Sequence, residues 1–348
     1  GLYTIGGISP DFPDLNSAVS KLENCGISGP VVFDVAAGSV FNEKVVIHEI
    51  FGTSSINTVT FNGNGSTIEY DAQEGDREIL FLKGASYLTL DNFVIKSTNP
   101  DYYWGLRLGY GAGHNTISNC VFDGTNLSTA YNSTGAIVSS NSDYMTTFGV
   151  NAETHDNIIE DNTILGKKIL SNVTLQYGIF IRGTAAGAGS ASNIIRRNTI
   201  TNTSGPGIFL TYCEGNQIIA ENELRNGEIR VDNGISIYDS GPGILVERNL
   251  IVNNSATQSI IRFIRCQGTK TNPHVVRNNI LYNKTSSNAD AFYISSTNHV
   301  HLLNNTLVFD ESGSYERGFL LISSDSCVIL NNLLSINYKD GYKSSVYS

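Results

Sequence analysis

Arginine and tyrosine recur at the ends of short apolar stretches: Arg182, Tyr212, Tyr238 followed by Asp239, Arg262, Arg265 and Tyr293. The segments between them add Glu228, Arg230 and Asp232. β-Elimination from a uronic acid needs a cation to neutralise the sugar carboxylate and a base to take the adjacent proton, and Arg and Tyr can fill those roles. Tyr238 is the candidate base, with Arg265 the cation that would lower its pKa. Arg182, Tyr212, Asp239, Arg262 and Tyr293 are candidates for holding an acidic glycan by charge and by stacking on rings. The same residues would equally make a solvated face of Arg–Asp pairs.

Other residues invite weaker readings. Tyr102-Tyr103-Trp104 contains the single Trp and is expected in a long loop, where it would stack on a sugar face or pack over the core. His299 and His301, two residues apart, are expected on one strand face, but no third metal ligand accompanies them. Asp71, Glu74 and Asp76 give an oxygen-rich segment that suits Ca²⁺ without the EF-hand spacing. No metal site is assigned and no cofactor is evident. Glycoside hydrolysis usually needs two carboxylates at a set separation, and no such pair stands out.

The bulk composition bounds these readings. The 348 residues carry 22 Lys and Arg against 32 Asp and Glu, a formal charge of −10, which argues against nucleic-acid binding. Charged residues make up 16% and Gly numbers 34, a balance that suits a turn-rich β protein. The five cysteines, Cys25, Cys120, Cys213, Cys266 and Cys327, lie far apart with no C-x-x-C pair, and buried free thiols are expected. No apolar run is long enough to span a membrane.

What positions the candidates is a repeat. Ile158-Ile-Glu-Asp-Asn-Thr-Ile returns as Ile194-Ile-Arg-Arg-Asn-Thr-Ile, Ile218-Ile-Ala-Glu-Asn-Glu-Leu and Leu245-Val-Glu-Arg-Asn-Leu-Ile, and again from Val275, His301 and Val328. Superposition puts Asn162, Asn198, Asn222, Asn249, Asn279, Asn305 and Asn332 in one column, at spacings of 36, 24, 27, 30, 26 and 27. A fixed local pattern at irregular spacing predicts a solenoid with loops of variable length. Each unit also holds a second strand with period-two apolar residues, such as Ile179/Ile181, Ile208/Leu210 and Ile235/Ile237. The pattern predicts an all-β fold, a parallel β-helix, in which the inward Asn column forms a hydrogen-bonded ladder at about 4.8 Å per coil. The neighbouring column reads Asp161, Arg197, Glu221, Arg248, with alternating sign that stacking would favour.

Residues 11–25 place Leu15, Ala18, Val19 and Leu22 on one helical face, with Asp14 as N-cap and Gly26 past the end. Such a helix would cover the open apolar end of the stack. The expected layout is one domain over 1–348, with a cap at 1–30, first coils at 31–113 and regular coils at 114–348. The C-terminus shows no evident cap, so further domains of a longer protein are expected beyond it.

The stretches DFPDLNSAVSKL and GPVVFDVAAGSVFNEKVVI resemble the opening of pectinesterase-type β-helix proteins and the β-helix modules of large secreted bacterial surface proteins. The later coils are similar to the right-handed parallel β-helix repeat family. The resemblance implies a right-handed coil, a secreted or cell-surface location, polysaccharide as partner and a substrate groove along the strand that follows the long loops. A monomer is expected. The strand motif that would carry a pectinesterase's catalytic Asp is absent. Of the polygalacturonase motifs only Asn-x-Asp occurs, at Asn141-Ser-Asp143 and Asn288-Ala-Asp290. The reading that remains is an extracellular polysaccharide-binding protein, possible cleavage being lyase-type, with a non-catalytic adhesin or stalk as the alternative.

Overall fold

The computed structural model describes residues 1–128, 133–140, 153–169, 172–184, 190–226, 234–253, 259–284, 290–310, 317–337 and 344–347. One coil shows how the rest are built. Trp104–Gly109 lies in an 11-stranded sheet, Ala112–Gly113 in a four-stranded sheet, and Thr116–Ser118 and Val121–Asp123 in two rows of a 21-stranded sheet. The next coil then begins at Gly135–Ser139, paired in parallel with Trp104–Gly109. The two rows count as one sheet because Val59–Tyr70 and Leu88–Ser97 run through the bend, with an irregularity between Asn62 and Ser66.

The inward columns make the core. Ile117, Ile159, Ile195, Ile219, Val246, Val276 and Leu302 are in register through successive parallel pairs and are fully buried. Each such side chain contributes roughly 1.5–3 kcal/mol by leaving water. β-Branched residues suit this stack because their stiff χ1 matches a pleated surface packed on both neighbours. The N-terminal end of the stack is aromatic, with Phe33 and Phe61 stacked at 4.8 Å.

The expected cap is present. Helix α1, Leu15–Cys25, buries Leu15, Ala18, Val19 and Leu22. The Asp14 side chain accepts from the Ser17 N–H at 2.8 Å, and the two Glu43 carboxylate oxygens accept from the N–H groups of Leu15 and Asn16. Gly26 ends the helix at φ 63°, its N–H donating to Leu22 O at 2.8 Å.

The Asn column forms the expected ladder. At each bend between the two rows a single residue adopts the left-handed region: Asp161, Arg197, Glu221, Arg248, Asn278, Asn304 and Asn331, all at φ between 53° and 59°. The next residue is the ladder Asn. Its Oδ1 accepts both the backbone N–H and the Nδ2 of the Asn one coil earlier, as for Asn162 on Asn198 at 3.1 and 3.0 Å. The same pair of bonds recurs through Asn222, Asn249, Asn279, Asn305 and Asn332. The column starts at Cys120, whose N–H donates to Asn162 Oδ1 and whose thiol donates to Ser118 O. Burial holds the thiols of Cys120, Cys213 and Cys266 up at about 12, so these are inert core thiols.

The left-handed residues also carry the alternating charges. Arg197 spans Asp161 at 2.8 and 2.7 Å and reaches Glu160 at 2.7 Å, and Arg248 holds Glu221 and Glu247. These pairs are partly exposed, so each contributes at most about 1 kcal/mol and serves register rather than chemistry.

A second ladder was not anticipated. Asn115, Asn157, Asn193 and Gln217, each five residues before its coil's ladder position, pass an amide oxygen to the backbone N–H of the coil before. Two coils on, the same column holds His274, fully buried, with neither ring nitrogen partnered among the described residues. Burial, reinforced by His299, lowers its pKa from 6.5 to about 4.

Asn222→Leu should therefore lower stability by about 2–4 kcal/mol, since it leaves the Asn198 N–H without its acceptor in the core and removes the bond from Asn222 Nδ2 to Ile195 O. Urea unfolding followed by circular dichroism measures it, and an unchanged midpoint would show that the ladder is energetically idle. His274 binds its proton more weakly in the folded chain than in the unfolded one, so stability present above about pH 6.5 is lost as pH falls toward about 4. His274→Gln should flatten the melting temperature over that window.

Candidate functional site

The outer face of the 11-stranded sheet carries the sequence candidates, and register places them. One outward column runs Arg107, Val138, Phe180, Phe209, Ser236, Arg262, Tyr293 and Leu320. The outward column two residues further on includes Arg182, Thr211 and Tyr238. Tyr212, Asp239 and Arg265 occupy a left-handed turn column where the chain leaves the sheet, at φ 54°, 49° and 54°. Each of their N–H groups donates across to the next coil, to Tyr238 O, Ile264 O and Ser295 O.

The face is closed at one end and open at the other. Trp104, Val138 and Phe180 form an apolar cluster outside the main core, with Tyr177 and Phe209 packed against it. Trp104 thus opens a strand instead of lying in a long loop. It is fully buried, its Nε1 hydrogen-bonds Ser133 O, and Arg107 lies over its ring at 5.4 Å. It cannot offer a face to a sugar in this conformation. Tyr103 is equally buried and donates to Ile95 O. Arg182 is 4% exposed, and burial lowers its pKa while Tyr212 acts the other way.

Toward the C-terminal coils the face opens, with Tyr238, Arg262 and Tyr293 half-buried on three successive strands. The Arg262 guanidinium lies 5.0 Å from the Tyr293 ring centroid and 5.7 Å from that of Tyr238, whose ring meets Phe209 edge-on at 5.0 Å. The structure therefore puts Arg262 over the Tyr238 ring, while Arg265 is engaged by Asp239 in a bidentate pair at 2.6 and 2.7 Å. That pairing raises the Arg265 pKa further. Glu228, Arg230 and Asp232 lie outside the described residues, as do 141–143.

In the sequence Asp290 stands out only as part of a stray Asn-x-Asp. Asp290 opens its strand, is buried, and accepts from Arg317 Nε at 2.6 Å and from Ser259. Burial raises its pKa against the pull of Arg317 and Arg262. It does not pair with Asp239. Asp239 aligns with Ser296, six residues beyond Asp290 along the strand, or roughly 20 Å. Paired glycosidase carboxylates sit about 5–9.5 Å apart.

The remaining candidates are placed elsewhere. Asp76 is ion-paired to Lys44 and accepts from Tyr70 Oη at 2.7 Å, while Asp71 accepts from Asn99, so two of the segment's three carboxylates already have partners. His299 sits in a left-handed turn at φ 52° and His301 in the strand Val300–Leu303. They are not brought into a ligand cluster. Among the described residues the histidines that do converge are His114 and His155, with Asp156. They are 41 positions apart in the chain, and no short motif announces them.

Residues 182–280 match the family described as right handed beta helix region. No curated protein sequence matches the chain. Among solved structures, the GH136 lacto-N-biosidase from Eubacterium ramulus is 10% identical with a TM-score of 0.53, covering 99% of this chain and 67% of its own. The complex of XylC with xylose is 13% identical with a TM-score of 0.58, covering 90% and 69%. The Streptococcus pneumoniae surface protein and adhesin PfbA is 13% identical with a TM-score of 0.51, covering 91% and 86%. At these identities the likeness is one of fold, and it agrees with the matched coils and the parallel register: the chain is a right-handed parallel β-helix protein.

Proposed function

We propose that the chain binds an acidic polysaccharide along the open half of the 11-stranded face. The observation that carries this is the strip Tyr238–Arg262–Tyr293, in which a guanidinium lies between two partly exposed rings on adjacent coils. Rings offer flat apolar surface for sugar faces and the cation offers a partner for a uronate carboxylate. The rise per coil, about 4.8 Å, is close to the length of one sugar residue in an extended chain, so successive coils can meet successive units. Arg265 with Asp239 and Tyr212 would border the strip. Two structural neighbours, named for a glycosidase activity and for a bound sugar, support a carbohydrate role.

Lyase-type cleavage is the finer reading. Tyr238 is its candidate base, with Arg262 rather than Arg265 beside the ring as the neutralising cation. A non-catalytic adhesin or stalk is the second reading, favoured by the neighbour that is a surface adhesin and by a ladder that runs on through the C-terminal coils. Either reading would have the protein act outside the cell or on its surface. Among the described residues no helix is long and apolar enough to cross a membrane.

Affinity electrophoresis in gels containing polyuronates should show retention that Arg262→Ala weakens about tenfold or more, a loss of about 1.4 kcal/mol. Arg265→Ala should alter stability by less than about 1 kcal/mol, since its pair with Asp239 is exposed on the arginine side. Ultraviolet-absorbing unsaturated products would establish the lyase. Retention without products would leave a binding module, and no retention on acidic or neutral glycans would favour the stalk.

A further inference from the structure

We propose that His114, His155 and Asp156 form a binding site for a divalent transition-metal ion, on a different edge of the coil from the glycan strip. The two imidazoles and the carboxylate each offer a ligand atom, and all three atoms lie within 4.8 Å of one another. Asp156 Oδ2 is 3.0 Å from His155 Nδ1 and 3.9 Å from His114 Nε2. Ligands about 2.0–2.2 Å from a common tetrahedral zinc sit roughly 3.4 Å apart, so small side-chain rotations close the set. The three side chains are 41–44% exposed, which leaves room for that movement and for water or a ligand at the open positions.

The fold delivers these groups from two coils. Ala112–Gly113 pairs in parallel with Thr154–His155, with Gly113 opposite His155. His114 and Asp156 are therefore equivalent positions one coil apart, and both take the left-handed turn, at φ 56° and 52°. Two features hold the rings in place. A Cβ on Gly113 would come within 2.4 Å of His155 Cε1, so the imidazole lies over a site that only glycine leaves open. On the other side Tyr87 stacks flat on His114 at 4.7 Å, and the two imidazoles meet edge-on at 5.2 Å. Two nitrogens and one carboxylate oxygen, with open positions, suit borderline ions such as Zn²⁺, Ni²⁺ or Cu²⁺ and not Ca²⁺, which takes six or more oxygens. A bound ion would staple the two coils and stabilise the folded chain by mass action.

The test uses the full chain and Zn²⁺ as the probe. Titration calorimetry should show one saturable site, with a rise in melting temperature on adding zinc. His155→Ala should abolish both, and Asp156→Asn should weaken binding at least about tenfold. His301→Ala should leave both unchanged. Circular dichroism of each variant without zinc establishes that it folds, as expected for exposed side chains. Absence of saturable binding in the unaltered chain, or equal binding by a His114→Ala/His155→Ala variant, overturns the proposal.

Discussion

At every bend between the two rows of the long sheet, one residue turns left-handed, and the N–H that follows points along the stack with no strand partner. The amide oxygen of the next coil's asparagine accepts it. A buried N–H left unpaired costs about 1–3 kcal/mol, and the bend recurs in every regular coil, so the problem must be solved each time. Asparagine solves it because its oxygen takes two bonds from the coil before while its Nδ2 reaches that same coil's carbonyl and the next amide. The solution also fixes register, since a one-residue slip would carry the amide to the other face of the strand.

The sharp bends are what let side chains stack from coil to coil. Left-handed backbone is strained for residues other than glycine, by about 1–2 kcal/mol each, yet Arg, Glu, Asp, Tyr and His all adopt it here. Neighbouring coils offset the strain by pairing the residues so displayed. Asp161 meets Arg197, Glu221 meets Arg248, and Asp239 meets Arg265 in the same manner. His114 above Asp156 follows the same rule with chemically different groups. The bend columns are thus both the scaffold and the places where polar chemistry can gather.

The outer face of the 11-stranded sheet shows how burial divides one surface into two parts. Around Trp104, Val138 and Phe180 it is dry and packed, and Arg107 spends its charge on Glu78 and its guanidinium plane on Phe81. Around Tyr238, Arg262 and Tyr293 it is only partly buried, and the guanidinium lies against both rings. The proposed glycan strip is the part of the column that burial leaves open.

The first ladder was legible because Asn162 through Asn332 sit in a repeated heptapeptide that survives variation in loop length. The helix over Leu15–Cys25 was legible from its apolar spacing and its two caps. The second ladder was equally present, as the residue before each apolar pair, but its change from Asn to Gln217 to Ile244 and His274 hid the column. Trp104 was misplaced because one strand with a buried outer face reads locally like a loop rich in aromatics. Local pattern determined the coil, its inward columns and its cap, since period, turn chemistry and amide ladders act over a few residues. Which outward side chains meet was decided by tertiary structure alone. Loop lengths differ, so groups that meet across adjacent coils, such as Arg262 and Tyr293 or His114 and His155, are separated by 31 or 41 residues of chain that carry no common motif.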